Sequence, residues 1–354
     1  MTLSRNELRG WLLEQDPQRL AQLWAAADAV RRDSVGDAIY LRGLVELSNI
    51  CARSCVYCGV RRENREIERY RMTLDEIVGC AAAAASLGIG TVVLQGGHDP
   101  HEDPNAITAI IHAIRAVSPV AITLSLGEHP RARLAAWRAA GADRYLLRFE
   151  TSNPTLYARL HPRLAHEEHD RMQGLAWLRE LDYEVGSGVM VGIPGQSVDD
   201  LVRDLELFRT LDLDMIGVGP FIPHGDTPLA KHPEAFPKAE QDQVVADVLT
   251  TLKVIALTRL LCPWANLPST TALVTLGGSA AREASLNAGA NIIMPNFTPT
   301  HYREQYEVYP GKSVTEPAQV VASLHEMAAR LGRTIGHGPG HAREHSRASG
   351  QILR

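Results

Sequence analysis

Three cysteines in one short segment constrain this chain more than any other feature of its sequence. Cys51, Cys55 and Cys58 follow the spacing C-x3-C-x2-C, and Tyr57 directly precedes the last of them. Three thiolates on one loop can hold three irons of a [4Fe–4S] cluster and leave the fourth iron open to a small chelating molecule. A structural zinc site instead needs a closed set of four ligands, usually as two separated pairs. The spacing therefore favours an iron–sulfur cluster with one open coordination site.

The remaining cysteines argue against other uses of the thiols. Cys80 and Cys262 stand alone, and neither belongs to a second C-x2-C pair. The odd total of 5 cysteines, three of them clustered, suits a reducing cytosol better than a disulfide framework. We therefore expect a cytoplasmic protein in which both lone cysteines are small buried hydrophobic residues.

Bulk composition limits the partners of the chain. Its 354 residues are 45% hydrophobic and 22% charged, with a formal net charge of -5. This charge gives no general attraction to nucleic acid or to an anionic membrane. No apolar run approaches the roughly 18 residues that a membrane helix needs. We therefore expect neither nucleic acid nor a membrane as a partner.

Strand-like and helix-like segments alternate along the chain and predict an α/β fold. The strand-like segments lie at residues 42–48, 91–95, 120–125, 145–149, 184–190 and 215–219, with weaker ones near 264–268 and 290–294. Helical patterns lie at residues 74–87, 104–116, 131–140, 167–181, 198–211, 238–260 and 278–288. About eight βα units are the number in a complete (β/α)8 TIM barrel. An open doubly wound sheet is the alternative, but no Gly-x-Gly-x-x-Gly turn follows the first strand.

The pattern predicts three regions. They are an N-terminal helical extension at residues 1–38, with helical spacing over 6–33, the barrel at residues 39–312, and a C-terminal helix and tail at residues 313–354. The tail from residue 333 is rich in Gly, His and Arg, and we expect it to be mobile. His337, His341 and His345 recur at four-residue spacing and could bind a metal, but a solvated tail is the favoured interpretation.

The chemically distinctive residues follow the predicted strands. In a barrel of this kind the active site is built on the loops after the carboxyl ends of the strands. Those loops carry, in chain order, the three cysteines, then Gln95, Gly96 and Gly97, then Glu128, then Arg148 and Glu150, then residues 192–196 and 220–224, then Thr270 and Thr271, and finally Met294. We therefore expect these side chains to meet at one end of the barrel.

The cysteine motif resembles the signature of the radical S-adenosylmethionine (SAM) enzymes. In that family the cluster must pass one electron to a sulfonium bound beside it. Gly96 and Gly97 would let the backbone approach the bound amino-acid group without a Cβ in the way. The amino group of SAM needs carbonyls and a carboxylate, and its carboxylate needs a cation, so Glu150 and Arg171 are suitable partners. A surface ion pair for Glu150 and a solvated helix charge for Arg171 are the alternatives.

A longer series of motifs resembles one family of radical SAM proteins, the HydE-type [FeFe]-hydrogenase maturases. The motifs begin with Tyr-Cys-Gly-Val-Arg-Arg at residues 57–62 and continue at 69–73, 123–128, 141–151, 192–196, 219–224, 289–296 and 309–312. They span roughly residues 40–312. The resemblance implies a complete (β/α)8 barrel with a [4Fe–4S] cluster near its top. It also implies reductive cleavage of SAM to methionine and a 5′-deoxyadenosyl radical.

The resemblance also assigns roles to individual residues. It implies that the cluster ligands, and so the catalytic and metal-binding residues, are Cys51, Cys55 and Cys58. The residues that it implies for SAM are Tyr57, Gln95, Gly96, Gly97, Glu128, Glu150 and Arg171. Those that would line the substrate cavity are Arg148, Thr270, Thr271, Met294, Tyr302 and Tyr306. Barrel packing is the alternative for this last group, and it is favoured for Met294.

The resemblance further implies the substrate and the partners. The radical would act on a cysteine-bound iron–carbonyl–cyanide precursor in the assembly of the H-cluster. The partners would be this small-molecule or organometallic substrate, an electron donor such as ferredoxin or flavodoxin, and other hydrogenase maturation proteins. Two departures stand against it: His98 replaces a glutamate usual in the family, and the C-terminal region lacks the extra cysteines of some members.

Three other functions are consistent with parts of the sequence. Biotin-synthase-like chemistry needs a second cluster inside the barrel, and the ligands for it are missing. A methylornithine-synthase-like mutase acting on an amino acid shares much of the scaffold, and Arg148 with residues 269–271 could serve that substrate. A non-enzymatic scaffold for an iron fragment is a third interpretation, which the three-cysteine motif with its glycine turn argues against.

Overall fold

Parallel strands form the centre of the molecule. The computed structural model describes residues 3–101, 103–163, 170–311 and 315–342. The strands are β1 (Ala38–Leu41), β2 (Gly43–Ser48), β3 (Thr91–Gly96), β4 (Ala121–Ser125), β5 (Arg144–Leu146), β6 (Glu184–Val191), β7 (Met215–Pro220), β8 (Ile292–Ile293) and β9 (Thr334–Ile335). Most residues of β2 to β7 are buried, because parallel strands in a barrel are covered on both faces.

Within the described residues, the strands close into a ring. The strands β2 to β7 are hydrogen-bonded in chain order as a six-stranded parallel sheet. The segment 266–268 joins β7 to β8 through isolated bridges, and β8 pairs in parallel with β1. A bridge between Leu44 and Asn296 closes the ring onto β2. With β1 and β2 as one interrupted strand, the described ring has eight positions, which confirms the predicted (β/α)8 barrel.

Helices surround the ring. They are α1 (Arg5–Leu13), α2 (Pro17–Val35), α3 (Leu74–Ser86), α4 (Ala106–Val117), α5 (Arg131–Ala140), α6 (Pro154–Leu160), α7 (Arg171–Glu180), α8 (Val198–Thr210), α9 (Pro228–Lys231), α10 (Val248–Leu261), α11 (Thr271–Asn287), α12 (Thr300–Arg303) and α13 (Pro317–Arg330). A 3₁₀ turn lies at Pro233–Ala235. In the described ranges, no helix combines the length and the apolar character needed to cross a membrane.

Local chemistry explains where the helices begin. Thr73 and Glu76 form the predicted capping box of α3, in which Glu76 Oε2 accepts the Thr73 amide at 2.8 Å. The predicted helix at 6–33 is instead two helices, because Asp16 caps a new helix that has Pro17 at its first position. Both helices pack against α10 on the outside of the barrel.

Two other helix predictions need correction. The helix predicted at 238–260 begins only at Val248, since the preceding segment is hydrogen-bonded to the loop after β6 through Val244 and Gln196. The helix predicted at 278–288 begins earlier, at Thr271, and Gly278 breaks its regular geometry with a φ of 65°. The short-range periodicity of the sequence predicted that these helices exist. Their lengths depend on tertiary hydrogen bonds and on the irregular geometry at Gly278, which periodicity does not report.

The tail directly after residue 333 is ordered, so the prediction of a mobile tail is wrong for residues 333–342. The strand β9 pairs in parallel with β1, and the Gly336 amide donates to the Ile39 carbonyl. Gly340 lies so close to the Tyr40 ring that a Cβ would meet it at 2.6 Å. Residues 343–354, which include His345, and the predicted boundary at residues 312 and 313 lie outside the described residues.

The ordered tail covers the amino-terminal end of the barrel, where buried charges need partners. Thr91 Oγ1 and Arg144 Nη2 donate to the Pro339 carbonyl at 2.7 and 3.0 Å. Arg42, which is 4% exposed, donates to the Gly340 carbonyl at 3.3 Å. His341 pairs with Glu184, which also binds Arg144. The tail therefore supplies acceptors to arginines that the barrel alone would leave buried without enough partners.

Ending the chain after Ile335 is expected to destabilise the barrel. The truncation removes the carbonyls that satisfy Arg42 and Arg144. Each lost hydrogen bond to a charged group is worth about 1.5–3 kcal/mol, so we expect a loss of about 3 kcal/mol or more in the free energy of unfolding. Denaturant titration measures this change. A chain ended after Ala342 keeps the described tail contacts and is the matched control. Equal stability of the truncated and full chains would contradict the prediction.

Candidate active site

The cysteine loop follows β2 at the carboxyl end of the barrel and is held by one arginine. Arg69 donates to the carbonyls of Asn49 and Val60 at 2.6 and 2.9 Å. It also donates to the carbonyls of Arg61 and Asn64 at 2.6 and 3.0 Å. Four backbone carbonyls of one loop are thus gathered on a single guanidinium. This role of Arg69 could not be predicted from the sequence, because the arginine lies after the loop and its acceptors are backbone atoms.

Two glycines let neighbouring segments pack directly on this loop. A Cβ on Gly97 would lie 2.2 Å from the Ile50 carbonyl oxygen and 2.8 Å from Cys51 Cβ. A Cβ on Gly59 would lie 2.0 Å from the Glu307 carbonyl oxygen. The loop after β3 is also joined to the cysteine loop by the Ala52 amide, which donates to the His98 carbonyl at 2.7 Å. Gly97 is therefore required by packing, and its contact with SAM stays a prediction.

Gly97→Ala is expected to prevent cluster assembly. Its new Cβ would collide with backbone and with Cys51, so the cysteine loop must move. We expect iron content after anaerobic reconstitution to fall at least about tenfold, since ligand geometry controls metal affinity. Gly79→Ala is the matched control, because no atom lies within 4 Å of its added Cβ. The prediction is wrong if Gly97→Ala loads iron as fully as that control.

The thiols lie in a buried and positively charged setting. Burial raises the pKa of both Cys51 and Cys55, since a thiolate is poorly solvated there. Arg171 and Arg53 oppose this effect at Cys55 and lower its pKa. Cys51 Sγ also accepts the Arg53 amide at 3.4 Å. Three thiols on one loop, with cations that favour the thiolate, suit a cluster in which each cysteine binds a separate iron.

Beside the thiols lies a buried ion-pair network. Arg171 Nε donates to Glu128 Oε1 at 2.6 Å, and Arg53 Nη2 lies 3.3 Å from Glu128 Oε2. Arg171 Nη1 donates to the Arg148 carbonyl at 2.6 Å. Burial alone would lower the pKa of Arg171, but Tyr57, Glu128 and Cys55 raise it well above its ordinary value. Arg171 is 9% exposed, so it is not the solvated helix charge that was its alternative interpretation.

Glu150 lies on the neighbouring loop in an unusual backbone conformation. Its φ is 66°, which is uncommon for a residue other than glycine. Arg148 Nη2 lies 3.0 Å from Glu150 Oε2, close enough for an ion pair but outside hydrogen-bond geometry. Burial raises the pKa of Glu150, while Arg148 and Arg171 lower it. The glutamate is 6% exposed, so this is no surface ion pair.

Tyr57 is fixed by a histidine that the sequence analysis did not select. His161 Nδ1 lies 3.2 Å from the Tyr157 carbonyl and must donate to it, which leaves Nε2 as an acceptor. The Tyr57 hydroxyl lies 3.0 Å from that Nε2 and donates to it. Burial lowers the pKa of His161 well below its ordinary value, in keeping with a neutral ring. Tyr57 is thereby held beside Cys55 and Cys58.

A segment that we call the strap, residues 304–311, crosses the mouth of the barrel. The Gly59 amide donates to the Val308 carbonyl at 3.0 Å, and His224 Nε2 lies 3.4 Å from Glu307 Oε2. The strap carries Tyr306, whose hydroxyl accepts from Gln95 Nε2 at 3.3 Å. It also carries Tyr309, which hydrogen-bonds to Thr271 and has a pKa raised by burial. Both tyrosines therefore close the end of the barrel that bears the cysteines.

The structure does not bring all predicted cavity residues together. Tyr302 hydrogen-bonds to Glu76 at 3.2 Å and stacks on Tyr70 with a centroid distance of 4.5 Å. It therefore lies against α3 and Tyr70, whereas Tyr306 and Tyr309 bind Gln95 and Thr271. The Thr270 hydroxyl donates to the Val218 carbonyl at 3.1 Å and caps α11. Met294 is partly exposed at the end of β8.

The two lone cysteines behave as predicted. Cys80 and Cys262 are 8% and 0% exposed and belong to the main hydrophobic core. Burial raises the pKa of Cys80 to about 11 and that of Cys262 to about 12, so both are thiols at neutral pH. This confirms that they are small buried hydrophobic residues.

His98, the departure noted in the sequence, lies between the cysteine loop and the loop after β4. Its ring stacks on His129 with centroids 5.0 Å apart, and its Nδ1 is buried without a hydrogen-bond partner among the described residues. Burial lowers the pKa of both histidines, that of His129 to about 3. With histidine at position 98, two stacked imidazole rings therefore lie beside Glu128. The ring of His129 is neutral at physiological pH.

Comparison with known proteins identifies the family. The model of the radical SAM superfamily matches residues 45–208, which include the cysteine loop, Glu128, Glu150 and Arg171. The chain is 46% identical over 318 residues to the [FeFe] hydrogenase maturase subunit HydE of Thermotoga maritima, covering 89% of this chain and 86% of that protein. The chain belongs to the HydE family of radical SAM enzymes. As a member, it uses a [4Fe–4S] cluster and SAM.

Other relatives of this HydE-family chain have a different named activity. The chain is 30% identical over 299 residues to the 3-methylornithine synthase of Methanosarcina barkeri, covering 84% of this chain and 80% of that enzyme. The crystal structure of methylornithine synthase (PylB) superposes with a TM-score of 0.77 at 26% identity and covers 95% of each chain. The barrel is thus shared between the two kinds of enzyme, and the contents of the cavity must distinguish them.

Proposed function

We propose that this chain cleaves SAM reductively and directs the resulting 5′-deoxyadenosyl radical to a cysteine-bound iron–carbonyl–cyanide precursor of the H-cluster. The observation that carries this proposal is 46% identity over 89% of the chain with a HydE maturase. Cys51, Cys55 and Cys58 would hold the cluster, which supplies the electron for SAM cleavage when it is bound.

Charged residues near the thiols are suited to orient SAM. Arg171 is a buried cation in electrostatic contact with Cys55 and can receive the carboxylate of SAM. Glu128 holds the Arg171 guanidinium through its Nε at 2.6 Å, so it fixes the direction in which this cation points. Glu150 offers a carboxylate on the next loop, close to Tyr57. Together they would place the sulfonium beside the cysteine loop.

The cavity beneath the strap offers polar groups of the kind that an anionic substrate needs. Arg148 Nε is buried and has no hydrogen-bond partner within the described ranges, so it can bind a carboxylate or a cyanide nitrogen. Tyr306 and Tyr309 add hydroxyls, and Gln95 and Thr271 hold those hydroxyls in place. The strap excludes water from the space where a carbon radical must survive.

The proposal includes partners outside the chain. Reduction of the cluster needs a one-electron donor such as ferredoxin or flavodoxin, and transfer of the product needs other hydrogenase maturation proteins. A cytoplasmic location suits both. The relationship to a named maturase subunit supports these partners.

A methylornithine-synthase-like mutase is the second candidate, favoured by the structural superposition over 95% of both chains. Its substrate would be an amino acid, whose carboxylate Arg148 could also receive. The two functions require different substrates in the same cavity, so an experiment can distinguish them.

In vitro maturation tests the proposal directly. The reconstituted protein replaces its counterpart in an anaerobic mixture of apo-[FeFe]-hydrogenase, the other maturation proteins, SAM and a reductant. We expect hydrogen evolution that depends on this chain and is lost with the Cys55→Ala variant. A parallel incubation with a mixture of the protein amino acids is searched for 3-methylornithine. No hydrogen evolution together with 3-methylornithine formation would overturn the proposal in favour of the mutase.

A further inference from the structure

The turn that carries Glu150 is held in place from several directions. Its backbone φ of 66° is unfavourable for a residue with a Cβ, so surrounding contacts must maintain it. The Glu150 amide donates to the Gly188 carbonyl at 3.0 Å, and the Met190 amide donates to the Glu150 carbonyl at 3.2 Å. These bonds fix the residue on the β6 side. These two hydrogen bonds do not hold the segment that follows Glu150, so that segment must be anchored by other contacts.

That anchor is the helix α8, through two of its aspartates. The Ser152 amide donates to Asp204 Oδ1 at 2.6 Å. One residue later, Asn153 Nδ2 donates to Asp200 Oδ1 at 2.9 Å. Asp200 has a structural task of its own, because it completes the capping box of α8 with Ser197. Asp204 lies one turn further along the helix, where no cap requires a carboxyl group.

Burial makes Asp204 an unusual choice at this position. It is 0% exposed, and it is held by the Ser152 amide on the loop. Asp204 Oδ2 and the Ser152 hydroxyl oxygen are both buried, and neither has a hydrogen-bond partner of acceptable geometry among the described residues. Burial raises the pKa of Asp204 to about 7, with Asp200 raising it further, while Ser152 and Arg203 lower it. An apolar side chain at this core-facing helix position would avoid the free-energy cost of burying a carboxyl group. The presence of the carboxyl group therefore indicates a specific role.

We propose that Asp204 is a positioning residue that fixes the left-handed turn at Glu150 through the Ser152 amide and so sets where the Glu150 carboxylate lies. Without this acceptor the Ser152 amide, on a half-buried residue, loses its hydrogen-bond partner, and the turn relaxes towards ordinary backbone angles. Glu150 then leaves its place beside Arg148 and Tyr57. The inference rests on the proposed role of Glu150 in binding SAM.

The position of Asp204 also makes the hold dependent on pH. The groups that act on its charge are Asp200 and Arg203 on its own helix and Ser152 on the loop. Above pH 7 the ionised carboxylate accepts the amide in a charge-assisted bond, which is stronger than the bond to the protonated acid. Below pH 7 the hold weakens. Asn at this position mimics the protonated acid at every pH and keeps an acceptor oxygen.

The experiment measures SAM binding, without turnover, on cluster-loaded protein by equilibrium dialysis at pH 6 and pH 8. We expect Asp204→Leu to weaken SAM binding at least about tenfold at both pH values, with iron content and circular dichroism unchanged. We expect Asp204→Asn to bind nearly as wild type at pH 6 and about fivefold more weakly than wild type at pH 8. Asp199→Leu, an exposed aspartate on the same helix, is the matched control and should bind as wild type.

The outcomes separate the positioning role from the proposed function. Wild-type SAM affinity in Asp204→Leu overturns the positioning role and leaves the proposed function intact. If Asp204→Leu does not fold, the decision passes to Asp204→Asn, and a ratio to wild type that is equal at pH 6 and pH 8 overturns the role. Failure of the wild-type protein to bind SAM removes the proposed function itself.

Discussion

Cys55→Ala is expected to abolish SAM cleavage completely while leaving the barrel folded. Cys55 is 7% exposed at the centre of the cysteine loop, and it has electrostatic contacts with Arg171, Cys51 and Arg53. Two remaining thiolates cannot hold a cluster with three protein ligands and one open iron. Since the electron for cleavage comes from that cluster, no 5′-deoxyadenosine should form. The loop itself should persist, because Arg69 holds it through backbone carbonyls.

Cys80→Ala is the matched control for this variant. Cys80 is also buried, but it lies in the hydrophobic core on α3 and away from the loop. Its truncation costs about 1 kcal/mol of stability and should leave cleavage intact. Iron content, circular dichroism and 5′-deoxyadenosine are measured on both variants. Cleavage at the wild-type rate by Cys55→Ala would show that the loop does not hold the catalytic cluster.

Arg171→Met is expected to have the second-largest effect, on both stability and SAM binding. Removal of this guanidinium leaves the Glu128 carboxylate, which is 6% exposed, without its 2.6 Å partner. Arg53 still lies 3.3 Å from Glu128 Oε2, so we expect a loss at the lower end of the about 3–5 kcal/mol that breaking a buried ion pair costs. The same change removes the cation proposed for the carboxylate of SAM. We expect the dissociation constant for SAM to rise roughly 10–100-fold.

Arg179→Met on the same helix separates the two effects. Arg179 Nη1 lies 2.8 Å from Asp214 Oδ2, and that carboxylate is also buried. This variant should lose comparable stability but bind SAM as wild type, since its ion pair lies near the opposite end of β6. Chemical denaturation and equilibrium dialysis with SAM test both variants. Unchanged SAM affinity in Arg171→Met would make Arg171 a structural residue only.

The sequence was sufficient for the barrel because its evidence is local and repeated. Buried parallel strands such as β3 and β4 are short apolar runs, and helical periodicity between them marks the crossovers. The tail at residues 333–342 could not be predicted in the same way. Its glycines and histidines are typical of mobile termini, and the acceptors that Arg42 and Arg144 need become visible only when the barrel closes.

The sequence was enough to predict which residues belong to the candidate site, but not which of them contact one another. The spacing of the cysteines identified the loop, whereas nothing local indicates that Glu128 meets Arg171 or that Ser152 meets Asp204. Tyr302 was predicted for the cavity only through the family resemblance, which carries no information on the contacts of this side chain. The Tyr302 ring is held on the outer side of the barrel by its hydrogen bond to Glu76 and its stacking on Tyr70.

The measurement that tests the central claim most directly is an anaerobic assay of 5′-deoxyadenosine. The cluster is reconstituted, dithionite and SAM are added, and the nucleoside is quantified with and without the cysteine-bound iron–carbonyl–cyanide complex. We predict that 5′-deoxyadenosine forms and that the complex is consumed with it in proportion. Cleavage of SAM that the complex does not alter, with the complex recovered unchanged, would contradict the account and place the substrate elsewhere.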